Sequence, residues 1–120
     1  MVDLGASHGI GHVLGGTAGM PHGETSCVML PQVLRYNLDF TRERQRLLSQ
    51  AIGAPATPTA DLVQQLVADL GLPGRLRDAN VPRELLSRIA EEAMHDLWVK
   101  TNLRPIAGPP DVLKLLEAAW

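Results

Sequence analysis

Three of the chain's four histidines fall within its first 22 residues, in Ser7-His8-Gly9-Ile10-Gly11-His12 and Met20-Pro21-His22-Gly23-Glu24. Imidazole changes charge near neutral pH, and its nitrogens ligate zinc and iron(II). His8 and His12 are four residues apart, so on a helix they share a face with about 6 Å of rise between them. His22 follows Pro21, a turn residue at which the chain can fold back toward His8. A metal held by these rings would take its remaining ligands from a carboxylate or water. Ordinary helix histidines bonded to backbone carbonyls fit the same spacing, and the pattern alone leaves both readings open.

Other reactive residue types have plainer readings. Cys27 is the only cysteine, so no intrachain disulfide can form, and a small buried hydrophobe is its expected role. Glu24 suits the first turn of a helix, where a negative charge meets the positive end of the helix dipole. It could also orient a neighbouring imidazole. His95 falls late in a helix, where the dipole favours a cation. Trp98 and Trp120 read as packing anchors. Arg42, Arg44 and Arg46 cluster around Glu43 and read as a solvated face.

The elements that must position the histidines are helical. Ile10, Val13 and Leu14 recur at helical spacing across residues 2–19. Seven glycines lie between Gly5 and Gly23. Each costs about 1 kcal/mol against alanine in a helix, so such a helix makes sense where other backbones approach it closely. Pro21 ends it. A second helix follows with Val28, Leu30, Val33 and Leu34 and stops near Asn37, and Pro31 within it is expected to kink or split it. A charged, amphipathic surface helix is expected over 39–53, with Leu47, Leu48, Ala51 and Ile52 as its apolar part. Thr59 reads as the N-cap of a helix over 60–70 that buries Leu62, Val63, Leu66, Val67 and Leu70 and stops at Gly71. Pro82 opens the next helix, with Leu85, Leu86, Ile89, Ala93 and Met94 inward. A terminal helix starts at Pro110 or Asp111 and carries Leu113, Leu116 and Ala119. No apolar-polar alternation is long enough for a sheet, so the expected fold is all-α, a single helical domain over 1–120.

Composition narrows the partners. With 120 residues, a net charge of −2 and a pI near 6.0, the chain suits one modest core. No basic run invites nucleic acid or an anionic membrane. No stretch reaches the roughly 18 apolar residues of a membrane span. The lone cysteine and the absence of a secretory pattern point to a cytoplasmic setting. The glycine-rich helix would be exposed on one side in a monomer, so a homo-oligomer or a partnering domain is expected.

A longer pattern runs through these segments: Gly5-Ala6-Ser7-His8-Gly9-Ile10-Gly11-His12-Val13-Leu14-Gly15-Gly16, then Pro21-His22-Gly23-Glu24-Thr25, then Leu30-Pro31-Gln32-Val33-Leu34-Arg35-Tyr36-Asn37. It resembles the C-terminal helical part of the iron-containing alcohol dehydrogenase family, in its maleylacetate reductase branch. Asn102-Leu103-Arg104-Pro105-Ile106 and Leu115-Leu116-Glu117-Ala118-Ala119-Trp120 extend the similarity toward the end. The resemblance implies a dehydroquinate synthase-like helical bundle with His8 and His22 as ligands to Fe(II) or Zn(II). It implies that His12 lines the substrate cleft without ligating, in a place suited to relaying a proton. In the maleylacetate reductase branch the same rings could instead receive a dicarboxylate substrate. The family's other two ligands, an Asp and a His, and its glycine-rich nucleotide loop belong to an upstream part that these residues do not contain. The chain therefore reads as a fragment-like half-site. NAD(P)H would bind only with an upstream nucleotide-binding domain, and the chain alone is expected to be inactive. The alternative is a non-catalytic, self-associating helical module that has lost the dehydrogenase function.

Overall fold

The computed structural model describes the backbone of residues 5–95 and 106–120, and their side chains other than those of residues 5–9, His12 and His22. Six α-helices occur among them: α1 (Gly5–Ala18), α2 (His22–Tyr36), α3 (Leu38–Ile52), α4 (Thr59–Asp69), α5 (Leu86–Ala93) and α6 (Pro109–Ala119). Two short 3₁₀ turns, Leu76–Ala79 and Arg83–Leu85, lead into α5. No strand occurs among the described residues, and the fold is all-α. No described helix is long and apolar enough to cross a membrane.

Helix α2 is the hub, packing against α1, α4 and α6, while α5 packs against α1 and α6. Ile10 and Leu14 of α1, Val28 and Met29 of α2, Leu86 and Ile89 of α5, and Val112 and Leu116 of α6 are almost fully buried in one core. That core contains neither Phe nor Tyr among its fully buried members and is filled by branched aliphatics, Met and Ala. Leu76, in the connector before α5, is also fully buried and ties that irregular segment to the same cluster. Trp120 anchors the end of α6: its Nε1 donates to the Val81 carbonyl at 3.2 Å, and the Arg77 and Arg83 guanidinium groups lie 5.5 and 5.3 Å from its ring. Trp98 lies outside the described residues.

Pro31 neither splits nor ends α2, which runs unbroken from His22 to Tyr36 with Pro31 buried. Proline removes one donor, the one that would have reached the Cys27 carbonyl, and burial of Val28, Met29 and Val33 around it holds the helix together.

The larger departure is α3. Its inward positions are Gln45 and Ser49, whereas Leu47, Leu48 and Ile52 are more than half exposed. Thr41 interrupts the helical backbone at φ −132°, ψ 18°, and its hydroxyl donates to the Asn37 carbonyl. Gln45 Nε2 then donates to the Leu34 carbonyl and to Thr41 Oγ1, each at 2.9 Å. Thr59 does not cap α4; Pro58 holds the N-cap position and Thr59 is the first helical residue. Its hydroxyl donates to the Gln45 carbonyl at 2.6 Å, so in the 2.7 Å contact with Ser49 the serine is the donor. The α3–α4 seam is thus a buried polar chain. No described buried side-chain nitrogen or oxygen lacks a partner. Because α4 turns this edge inward, Val67 is buried but Leu66 and Leu70 are exposed. Gly53 and Gly71 end α3 and α4 in the left-handed region, at φ +92° and +73°.

Truncation should separate core from surface. Leu116→Ala should lower unfolding free energy by about 2–5 kcal/mol, whereas Ile52→Ala, at a position 63% exposed, should change it by no more than about 0.5 kcal/mol. Urea unfolding followed by circular dichroism measures both; equal losses would contradict the assigned core.

Candidate functional site

The histidine-bearing helices meet where α1 can offer no side chain. Ile10 and Leu14 face the core, and Gly11, between them in sequence, is buried against Thr25 of α2. A Cβ on Gly11 would lie 2.9 Å from Thr25 Oγ1, closer than carbon tolerates, and a tight 3.3 Å from Thr25 Cβ. Thr25 is itself fully buried. The sequence expectation of a glycine helix shaped by close approach thus finds its reason at this position.

A tight connection sets the order of the two helices. Gly19, at φ +70°, ends α1, and Met20 turns into the core with its N–H 3.5 Å from the Leu14 carbonyl. Pro21, at φ −58° and ψ 140°, is the N-cap of α2, and its carbonyl accepts from the N–H groups of Glu24 and Thr25 at 3.0 and 3.2 Å. His22 is the first residue of α2, while His8 and His12 lie one turn apart on α1. The fold therefore brings to one helix pair the two segments that carry the candidate metal ligands His8 and His22 and the candidate proton relay His12. The three imidazoles lie outside the described side chains.

One interaction that anchors this pair has no local signature. Thr17, near the end of α1, donates its hydroxyl to Glu92 Oε2 of α5 at 2.5 Å, and Arg88 Nε donates to Glu92 Oε1 at 2.9 Å. The Thr17 hydrogen bond first, and that of Arg88 second, hold the Glu92 carboxyl below its ordinary value. Thr17 and Glu92 are 75 residues apart, so sequence spacing gave no means of pairing them.

The remaining singled-out residues lie apart from this helix contact or on its surface; Cys27 is less buried, and His95 less helical, than their types suggest. Glu24 is in the first turn of α2, Cys27 is a half-buried free thiol, and His95 is exposed just after α5. Arg42 pairs with Asp39 at 3.0 Å and Arg46 with Glu43 at 2.6 Å on the solvated side of α3. Among the described residues no group of three or more His, Cys, Asp or Glu side chains could hold a metal ion. Two open grooves, of about 320 and 380 Å³, lie between α3 and the loop before α4, and between α2 and α6; neither is lined by α1.

Comparison with known proteins places this geometry. Residues 1–120 match the model of the Fe-containing alcohol dehydrogenase family, C-terminal. Lactaldehyde reductase of Escherichia coli (strain K12) is 34% identical over 128 residues, covering 99% of this chain and 33% of that protein. Maleylacetate reductase 1 of Cupriavidus pinatubonensis is 33% identical over 113 residues, covering 94% of this chain and 30% of that protein. Among solved structures, alcohol dehydrogenase from Oenococcus oeni superposes with a TM-score of 0.86 at 28% identity, over 99% of this chain and 33% of the other. Maleylacetate reductase from Agrobacterium tumefaciens gives 0.81 at 27% identity, over 96% of this chain and 31% of the other. The chain spans about a third of the length of these proteins.

The anchor at Glu92 makes a pH prediction. Its carboxyl is depressed in the folded chain, so its stabilising contribution is complete above the ordinary value of 4.5 and is lost as pH falls through the lower folded value. Glu92→Gln should therefore flatten the loss of stability below about pH 4.5 relative to the parent chain. Thermal unfolding between pH 3 and 7 (roughly the range over which carboxylates titrate) checks this; parallel curves would show that the bonds of Thr17 and Arg88 to the Glu92 carboxylate contribute nothing.

Proposed function

The chain belongs to the iron-containing alcohol dehydrogenase family as its C-terminal part, and on that premise we propose that it is the metal- and substrate-side helical portion of a maleylacetate reductase-like, NAD(P)H-dependent oxidoreductase. The observation that carries the proposal is the joining of α1 and α2 at Gly11 and Thr25, which sets both histidine segments on one rigid pair. The Pro21-His22-Gly23-Glu24-Thr25 segment and the maleylacetate reductases among the relatives favour a small unsaturated oxo-dicarboxylate as acceptor.

The donor types suit the family's metal. His8 and His22 carry imidazoles, a ligand type that both Fe(II) and Zn(II) accept in its neutral form, and two of them leave open positions for ligands from elsewhere. Such an ion, when bound, supplies a Lewis acid that polarises the acceptor oxygen. His12, on the same helix as His8, would relay the proton that accompanies hydride transfer. The hydride would come from a nicotinamide held by a nucleotide-binding part upstream, the protein setting its distance to the acceptor.

A second reading is a non-catalytic helical module that self-associates. What favours it is the surface of α3 and α4, where Leu47, Leu48, Ile52, Leu66 and Leu70 are more than half exposed. Sedimentation velocity on the parent chain and on Leu66→Glu separates the two: a stable monomer in both would remove this alternative.

The leading reading is tested by grafting. The chain replaces the matching C-terminal third of the Cupriavidus pinatubonensis relative, and NADH oxidation is followed with maleylacetate. Turnover that falls by about a hundredfold or more in His8→Ala and in His22→Ala is expected, while the chain by itself shows none. A folded, nucleotide-binding graft without turnover, or turnover indifferent to both substitutions, would contradict the assignment.

A further inference from the structure

We infer that Gly11 and Thr25 are positioning residues whose contact sets the spacing between the two histidine-bearing helices, and with it the relation of His22 to His8 and His12. The inference rests on the reading above for the purpose of that spacing, though the contact itself does not.

Four observations converge on this pair. Gly11 is buried, and an added Cβ would meet Thr25 Oγ1 at 2.9 Å and Thr25 Cβ at 3.3 Å. The obstacle is not the far end of a flexible chain: Thr25 is β-branched, its χ1 has few alternatives in a helix, and it is fully buried. The contact sits next to His12, one turn from His8 on α1, and one turn from His22 on α2. Neither helix can slide freely to relieve a clash. Thr17 holds the end of α1 to Glu92 of α5, and Pro21 and the buried Met20 fix the short connection between the helices. Added volume at Gly11 must therefore pry α1 and α2 apart beside the histidines.

Three other described glycines of this stretch differ. A Cβ on Gly16 or Gly23 would meet nothing within 4 Å, and one on Gly15 would meet the Met20 carbonyl at an ordinary 3.5 Å. Gly16→Ala thus serves as a matched control, since it adds the same methyl on the same helix in open space.

The test reads the imidazoles directly and without metal, by long-range ¹H–¹⁵N correlation spectra of the four histidines in the full chain. Gly11→Ala is expected to move the His12 and His22 resonances and to leave exposed His95 in place. Gly16→Ala should leave all of them unmoved. Thr25→Ala in the Gly11→Ala background removes the obstructing hydroxyl and methyl, and should return His12 and His22 toward their parent positions. If Gly11→Ala alone does not fold, the double variant should fold with near-parent histidine resonances. Histidine resonances unmoved by Gly11→Ala would overturn the inference, as would a double variant that restores neither fold nor resonances. A loss of thermal stability in Gly11→Ala with unmoved resonances would mark a purely structural contact and likewise overturn it. A Zn²⁺ titration of the parent chain, run in parallel, reports on the metal reading alone. Its failure leaves the metal-free comparison intact, so the two ideas fail separately.

Discussion

Two helix backbones can approach as closely as α1 and α2 do at Gly11 only if one of them carries no side chain there. The contact with Thr25 leaves less room than a methyl group needs, and much of the histidine end of the molecule follows from it. The glycines that lower the helical propensity of α1 make sense only where packing replaces what propensity lacks. Ile10 and Leu14 supply that packing on the core side, and the Thr17–Glu92 hydrogen bond ties the helix to α5. The short Gly19–Pro21 connection then lets α2 begin at His22, with no room for slack between the two histidine segments.

The opposite edge of the molecule is built on a different principle. Where α1 and α2 meet through apolar burial and a bare backbone, α3 and α4 meet through Gln45, Ser49 and Thr59, each inward and each hydrogen-bonded. A satisfied buried network fixes register because a slip would leave a donor or acceptor without a partner. Its consequence is that the leucines of α3 face outward. The site end is therefore held by an aliphatic core, and the far edge by polar specificity with apolar side chains left on its surface.

Much of this was legible in the residues. Helical periodicity gave the class and the order of the elements, and Gly53 and Gly71 marked two helix ends through their need for positive φ. The inward set of α5 and the role of Trp120 also followed from spacing and residue type. Other features did not follow. Pro31 does not split α2 as a local rule allows, because that rule cannot see the burial that compensates for one lost hydrogen bond. The inward face of α3 was misjudged because hydrophobic spacing counted Leu47, Leu48 and Ile52, whereas the partners of Gln45 lie on Leu34 and Thr59. Thr59 has the residue type of a cap, but its hydroxyl is taken by that same long-range network. At the site, the histidine types and their order came from the sequence; what joins their helices, a glycine against a threonine 14 residues on, came from the fold.

The central claim is that His8 and His22 form half of a metal site. The most direct measurement is anaerobic calorimetric titration of the purified chain with Fe(II) and Zn(II), beside His8→Ala and His22→Ala. The account predicts one ion bound per chain, at an affinity above that of a single surface imidazole, and lost in both variants. Binding no stronger than a lone histidine provides, or binding that survives either substitution, would contradict it.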